Sequence, residues 1–290
     1  MVLYLYRVVI AIGILLASVN AFAKFNKTIS APFHNIMLSG NISTVNLHYT
    51  RGASYMIVHG HELDIEKNEF YVADDWLKAN VGEGYPKFGN ISLDIWVNDL
   101  RTLHVISPII ISGKYIHSSG LVIYTKSSPQ INLSGKIALQ QVRIGSKTNL
   151  EISGVNTKRL DLKMRDYSCA KLQGNIGICG LEIRGHSRLS MYWVNTYKLK
   201  FTLADYANVQ LGGQVKILDL DMYNNAKFGG QYLRVHRLFL KTNDLSEAQI
   251  SAVRSQFTYA IDNSKIDYFN EPLIKNDFMS LNGETLFLGD

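Results

Sequence analysis

Residues 142–183 read VRIGSKTNLEISGVNTKRLDLKMRDYSCAKLQGNIGICGLEI, and two kinds of apolar pair recur within them. Val142-x-Ile144, Leu160-x-Leu162 and Leu181-x-Ile183 are bare alternations, whereas Leu150-x-Ile152-x-Gly154 and Ala170-x-Leu172-x-Gly174 each end on a glycine. Alternation with period two is a strand signal, one side chain facing in and the next out. A glycine at a constant place after it marks a tight corner. Ile176/Ile178 adds a third short strand between the two. Outward from this stretch the bare pairs continue as Leu103/Val105, Leu121/Ile123, Leu199/Phe201, Leu218/Leu220 and Leu238/Leu240, at spacings of 18, 21, 18, 21, 18, 19 and 20 residues. The glycine-ended pairs recur at Ile109, Ile131, Val209 and Ala226; Trp193 and Ala252 stand where two further turns lack the glycine. One coil cannot bury its own apolar face, so coils must stack around a continuous column. The pattern predicts an all-β, single-stranded β-solenoid with turns of about 19 residues and capped ends. A β-sandwich, the rival, needs no corner residue at a constant period.

The chain has 290 residues, 47% of them hydrophobic and 19% charged, which excludes a disordered chain. Arg7, the apolar run Val8–Leu16 and Ala21-Phe22-Ala23 describe a secretory signal peptide over residues 1–23. Its removal leaves 29 basic and 24 acidic residues. No later stretch is apolar enough for a transmembrane helix. The expected product is one domain over 24–290, with irregular coils to residue 100, regular repeats over 101–252 and a strand-bearing cap over 253–290. Residues 73–89, with charges, glycines and Pro86, are expected to form a loop. An exported product would be periplasmic, on the outer surface or secreted.

With Phe33-x-x-Ile36-x-Leu38-x-Gly40 at its start, glycine-cornered repeats in its body and Ile266-Asp267-Tyr268-Phe269-Asn270-Glu271-Pro272 near its end, the chain resembles the GIN-domain family (putative autotransporter adhesin head domain) over roughly residues 33–290. The resemblance implies a bacterial exported β-solenoid, no catalytic residues and an adhesion-type role.

Outward positions within the bare pairs should stack on one face: His104, Val122, Arg143, Asp161, Glu182, Lys200, Asp219 and Phe239. That register sets Asp161 beside Glu182. With Asp219, they would be the acids of a polysaccharide lyase or hydrolase built on the coil; the preferred reading is a solvated ion-pair ladder. Tyr192, Trp193 and Tyr197 form an aromatic patch that either stacks on a ligand or fills a corner. Asp74-Asp75-Trp76 is a weaker candidate. Two cysteines in an oxidising compartment point to a Cys169–Cys179 disulfide, yet the register turns both outward on either side of Gly174. His59/His61 and Asp219/Asp221 lack the partners of a metal site, and no cofactor motif is present. No basic run interleaved with aromatics marks a nucleic-acid binder. The expected function is an exported non-catalytic binding or adhesion module whose partner is a glycan or envelope protein; the alternatives are the enzyme and a structural envelope protein.

Overall fold

The computed structural model describes residues 25–289, so the expected signal peptide lies outside the described residues. The chain forms a β-solenoid with about 70% of its residues in strands. Its first part is β1 (Phe25–Ser30), β2 (Asn35–Gly40), β3 (Ile42–Tyr49), β4 (Tyr55–Gly60), α1 (Glu62–Glu66), β5 (Glu69–Ala73), β6 (Trp76–Val81), β7 (Ile91–Val97) and β8 (Thr102–Val105). Eight coils follow as β9 (Ile110–Thr125), β10 (Gln130–Ile144), β11 (Asn149–Met164), β12 (Cys169–Ile183), β13 (Arg188–Leu203), β14 (Asn208–Met222), β15 (Lys227–Thr242) and β16 (Glu247–Ala260). β17 (Lys265–Tyr268), β18 (Ile274–Met279) and β19 (Glu284–Phe287) complete the chain.

From β9 to β16 each strand pairs in parallel with the next. The apolar pairs of the sequence all point inward: Leu103, Ile123, Val142, Leu162 and Leu220 are fully buried. The three expected strands of a turn run together as one long bent strand. Its glycine corner bends the strand through a register shift without ending it, because the glycine lets neighbouring coils approach. A Cβ on Gly174, at φ +142°, would lie 2.0 Å from the Val155 carbonyl oxygen.

Only one corner breaks the strand. There, residues in the left-handed region recur as Ser146, Asp166, Gly185, Asp205, Asn224, Asp244 and Asp262. Asp and Asn tolerate this region better than most residues. Their side chains also join coils. Asp166 Oδ2 accepts from the Ser146 N–H at 2.9 Å, Asp205 Oδ2 from Gly185 N–H at 3.1 Å and Asp244 Oδ2 from Asn224 N–H at 3.0 Å.

The register corrects the sequence spacing. One outward column runs His104, Tyr124, Arg143, Lys163, Glu182, Thr202, Asp221, Lys241, Tyr259, Phe278. Successive coils are therefore 20 or 19 residues long almost throughout. The wider swings of 18 and 21 arise because this strand segment has three inward slots. Leu103/Val105 and Val142/Ile144 occupy the last two, Leu121/Ile123 and Leu160/Leu162 the first two. A slip of two residues keeps every side chain on its face, so alternation alone does not detect it.

The N-terminal end is built differently. β1 pairs antiparallel with β4, and β4 antiparallel with β7. β6 lies inside the segment expected to be a loop and pairs with β5 and β2; Leu77, Ala79 and Val81 alternate into the core there. The neighbouring Asp64 is buried and accepts from the Lys87 and Phe88 N–H groups, both at 2.9 Å. Asp74 and Asp75 form the β5–β6 turn, and Asp75 binds His34 Nδ1 and Asn35 Nδ2 at 2.6 and 2.9 Å.

At the other end, β18 and β19 pair in parallel onto β16 and β17. The apolar inward slots become polar there: Gln256 follows Leu238, Thr258 follows Leu240, and Lys275 and Asp277 follow them. Lys275 Nζ lies 3.0 Å from Asp277, which also accepts from Gln256 at 3.0 Å and Thr258 at 2.5 Å. Lys275 further contacts the Tyr268 hydroxyl and sits over its ring. Inward-pointing charge on an edge strand opposes the addition of another strand.

Candidate functional site

The strand segment holding the His104–Phe278 column meets the left-handed corner along a shallow groove. Over the coils from β8 to β12 it encloses about 680 Å³. Its charged lining is Lys126, Arg143, Lys163, Arg165, Arg184 and Glu182. Strand pairing stacks Arg143 and Lys163 on adjacent coils, at a pitch of about 4.8 Å. Lys126, Arg165 and Arg184 follow the buried or half-buried ends of their strands, where the chain turns outward to the corner; Gly145 takes the corresponding place in the coil between Lys126 and Arg165.

Glu182 is the one acid among these. Lys163 Nζ lies 3.1 Å from its Oε2, and Arg184 Nε lies 3.3 Å from its Oε1. Lys126, Arg143 and Arg165 have no carboxylate within ion-pair reach among the described residues. Arg143 instead lies over the Tyr124 ring, 5.8 Å from its centre. That ring is held by its hydroxyl, which donates to Gln141 Oε1 at 2.5 Å. Gln141 in turn donates to Asp161 Oδ2 at 3.0 Å. His104 sets the N-terminal end of the groove, edge-on to Tyr124. Burial, and after it the Lys126 ammonium, hold its imidazole below the usual histidine range.

The expected contact between Asp161 and Glu182 is corrected. Asp161 pairs with Gln141 and Gly180, in the column next to the groove. Glu182 pairs with Lys163 and Thr202. Asp219 stands in Asp161's column but further along, 2.8 Å from Lys200, whose ammonium is raised above its ordinary value by that hydrogen bond and charge. No two of these three carboxylates face one another in the strand register. The register slip of two residues described above is the cause.

Tyr192, Trp193 and Tyr197 are all exposed, Trp193 to 73%. Trp193 is the corner residue, at φ +65°, where neighbouring coils place glycine. Tyr192 faces the next coil at Gly212, and Tyr197 lies under the Lys216 ammonium, 5.4 Å from its ring centre. They sit at the glycine corner and the segment after it, separated along the coil from the groove. Cys169 and Cys179 are both free and exposed. Cys169 pairs with Asn149 and Arg188 ahead of the glycine corner; Cys179 follows Ile178 beyond it, on another side of the coil.

His59 and His61 do not converge. His59 Nε2 is 2.7 Å from Asp94 Oδ2, with His48 Nε2 3.3 Å from the other oxygen, while His61 packs on Phe88. Among the described residues no group of three His, Cys, Asp or Glu is placed to hold a metal ion. No helix among them is long and apolar enough to cross a membrane.

Sequence reasoning singled out His104, Arg143 and Glu182 within the groove but missed Lys126 and Arg165 as members. Their signal was present: each directly follows a strand's last inward slot, and Arg165 stands one step before the left-handed Asp166.

No family model matches the chain, and no curated protein matches it. Among solved structures it is similar to a "putative adhesin" from Parabacteroides distasonis ATCC 8503, at 12% identity over 92% of this chain and 98% of that one, with a TM-score of 0.47. A "putative adhesin" from Parabacteroides merdae ATCC 43184 is 13% identical over 93% and 97%, with a TM-score of 0.45. A "Putative lipid binding protein" from Parabacteroides distasonis ATCC 8503 is 13% identical over 93% and 98%, with a TM-score of 0.44.

Proposed function

We propose that this chain is an exported, non-catalytic binding module of the adhesion type. In this reading residues 1–23 are removed as a signal peptide and residues 24–290 act as one solenoid domain at the cell envelope, on the outer surface or after secretion. The observation that carries it is the groove between His104 and Arg184, where five cations meet one acid on a rigid parallel ladder. Such a ladder offers repeated weak contacts to an extended glycan or envelope protein, which gain strength together through effective concentration. The distribution of acids favours binding over hydrolysis. Hydrolysis by most glycosidases uses two carboxyl groups flanking one bond, while Asp161 is engaged by Gln141, Glu182 by Lys163 and Arg184, and Asp219 by Lys200.

The test is retention of the purified protein on acidic and neutral polysaccharides, with shortened product assayed in the same wells. Retention without product is expected. Product release would establish the enzyme instead. Silence in both would leave a structural envelope protein.

A further inference from the structure

Resting on that reading, we infer that the groove lined by Lys126, Arg143, Lys163, Arg165 and Arg184 binds a linear acidic polysaccharide with an anionic group on successive sugars. The chain would lie along the solenoid axis.

Three features of the groove select this ligand. First, its cations follow the coil pitch. Lys126, Arg143, Lys163 with Arg165, and Arg184 stand on four successive coils, so positive charge advances by about 4.8 Å per step. That step is about the length of one sugar ring with its linkage. A polymer charged on every sugar keeps register with it; a compact anion meets only one step. Second, the charge is uncommitted. Glu182 satisfies Lys163 and Arg184 in part, and Lys126, Arg143 and Arg165 have no carboxylate partner among the described residues. Two of those three are arginines, whose planar fork matches a carboxylate, sulfate or phosphate bidentately. Third, the floor exposes no aliphatic side chain. Ile144 and Met164 are buried beneath it, and Tyr124 is covered on one face by Arg143.

The third feature argues against the other polyanions. Single-stranded nucleic acid binds through open aromatic faces on which bases stack, whereas the two rings of the groove pack on each other, His104 edge-on to Tyr124, and Arg143 lies over Tyr124. A membrane surface is bound by apolar side chains inserted beside the cations, and the apolar residues here lie beneath the strands.

The test is binding of the purified protein to polygalacturonate, dextran sulfate and neutral dextran, together with anionic lipid vesicles, across a range of salt concentrations. Tight binding to polygalacturonate or dextran sulfate, absent for neutral dextran, is expected; preference between the two tells a carboxylate ligand from a sulfated one. Affinity should fall steeply with salt, and the R143A/R165A double variant should lose at least tenfold while its salt slope drops by about two. Both side chains are exposed, so the variant should melt like the parent. The K171A variant, whose lysine pairs with Glu151 on another face, should bind unchanged. Equal affinity for neutral dextran, or an R143A/R165A variant that binds as tightly as the parent, overturns the acidic-ligand inference while leaving the binding module standing. Binding to vesicles alone overturns it in favour of a lipid surface. Failure on every polysaccharide and on the vesicles overturns both readings.

Discussion

Gly174→Ala tests the physical basis of the coil stack. The added Cβ would stand 2.0 Å from the Val155 carbonyl oxygen and 2.7 Å from its nitrogen, both backbone atoms of the preceding coil. Neither can move without opening the ladder. The backbone at φ +142° adds its own penalty, since that region is essentially glycine's and costs another residue about 1–3 kcal/mol. Overpacking costs about 1–3 kcal/mol more. The sum, roughly 2–6 kcal/mol, is a large part of the 5–15 kcal/mol that stabilises an ordinary domain. For a chain of this size that lowers Tm by roughly 5–20 °C. Gly212→Ala is the matched comparison. Its Cβ would meet Tyr192 Cδ1 at 3.4 Å, an ordinary contact, and its φ lies outside the left-handed region. There the loss of unfolded-state freedom should stabilise by about 0.4–1 kcal/mol. Urea and thermal unfolding followed by circular dichroism measure both variants. If the Gly174 variant fails to fold, soluble yield gives the same ranking. A Gly174→Ala protein that melts no lower than Gly212→Ala would refute the close-approach account of the corner.

Three further outcomes follow from the same structure. Burial pushes the Asp94 carboxyl up, but hydrogen bonds from Asn46, His48 and His59 and the charge of His59 outweigh it and leave it below its ordinary value. A carboxyl depressed by folding stabilises above its unfolded pKa and loses that contribution as pH falls through the folded value; Asp94→Asn should therefore flatten the acid limb of a urea-stability profile between pH 7 and 3, and an unchanged limb would contradict it. Replacing both inward charges of the last coil, as Lys275→Leu with Asp277→Leu, should turn β18 into an apolar edge and produce concentration-dependent association in sedimentation, whereas the parent's Lys275–Asp277 pair opposes it. Because Cys169 and Cys179 are free and exposed, a maleimide should add two labels per chain without reductant; a mass two units short and no label would mean a disulfide.

Much of the architecture is legible in the residues alone. The alternation at Leu160/Leu162 and the glycine at 154 and 174 demand inward pairs and close corners, and both appear as read. The second corner was equally visible, as Asp, Asn, Ser or Gly at 146, 166, 185, 205, 224, 244 and 262, but a polar residue in the left-handed region imitates a surface loop when read one turn at a time. β6 was hidden for a similar reason: Lys78 and Asn80 gave the segment a loop's composition, although Leu77, Ala79 and Val81 alternate beneath them.

What the sequence by itself determined is which side chains face the core, because a period of two assigns every residue to one side of a strand. What only the tertiary structure decided is which outward side chains are neighbours. Three inward slots per segment allow a slip of two residues that alternation leaves invisible, and the hydrogen-bonded ladder between coils selects one register. That choice parts Asp161 from Glu182, sets Glu182 between Lys163 and Arg184, and gathers Lys126, Arg143 and Arg165 into one groove.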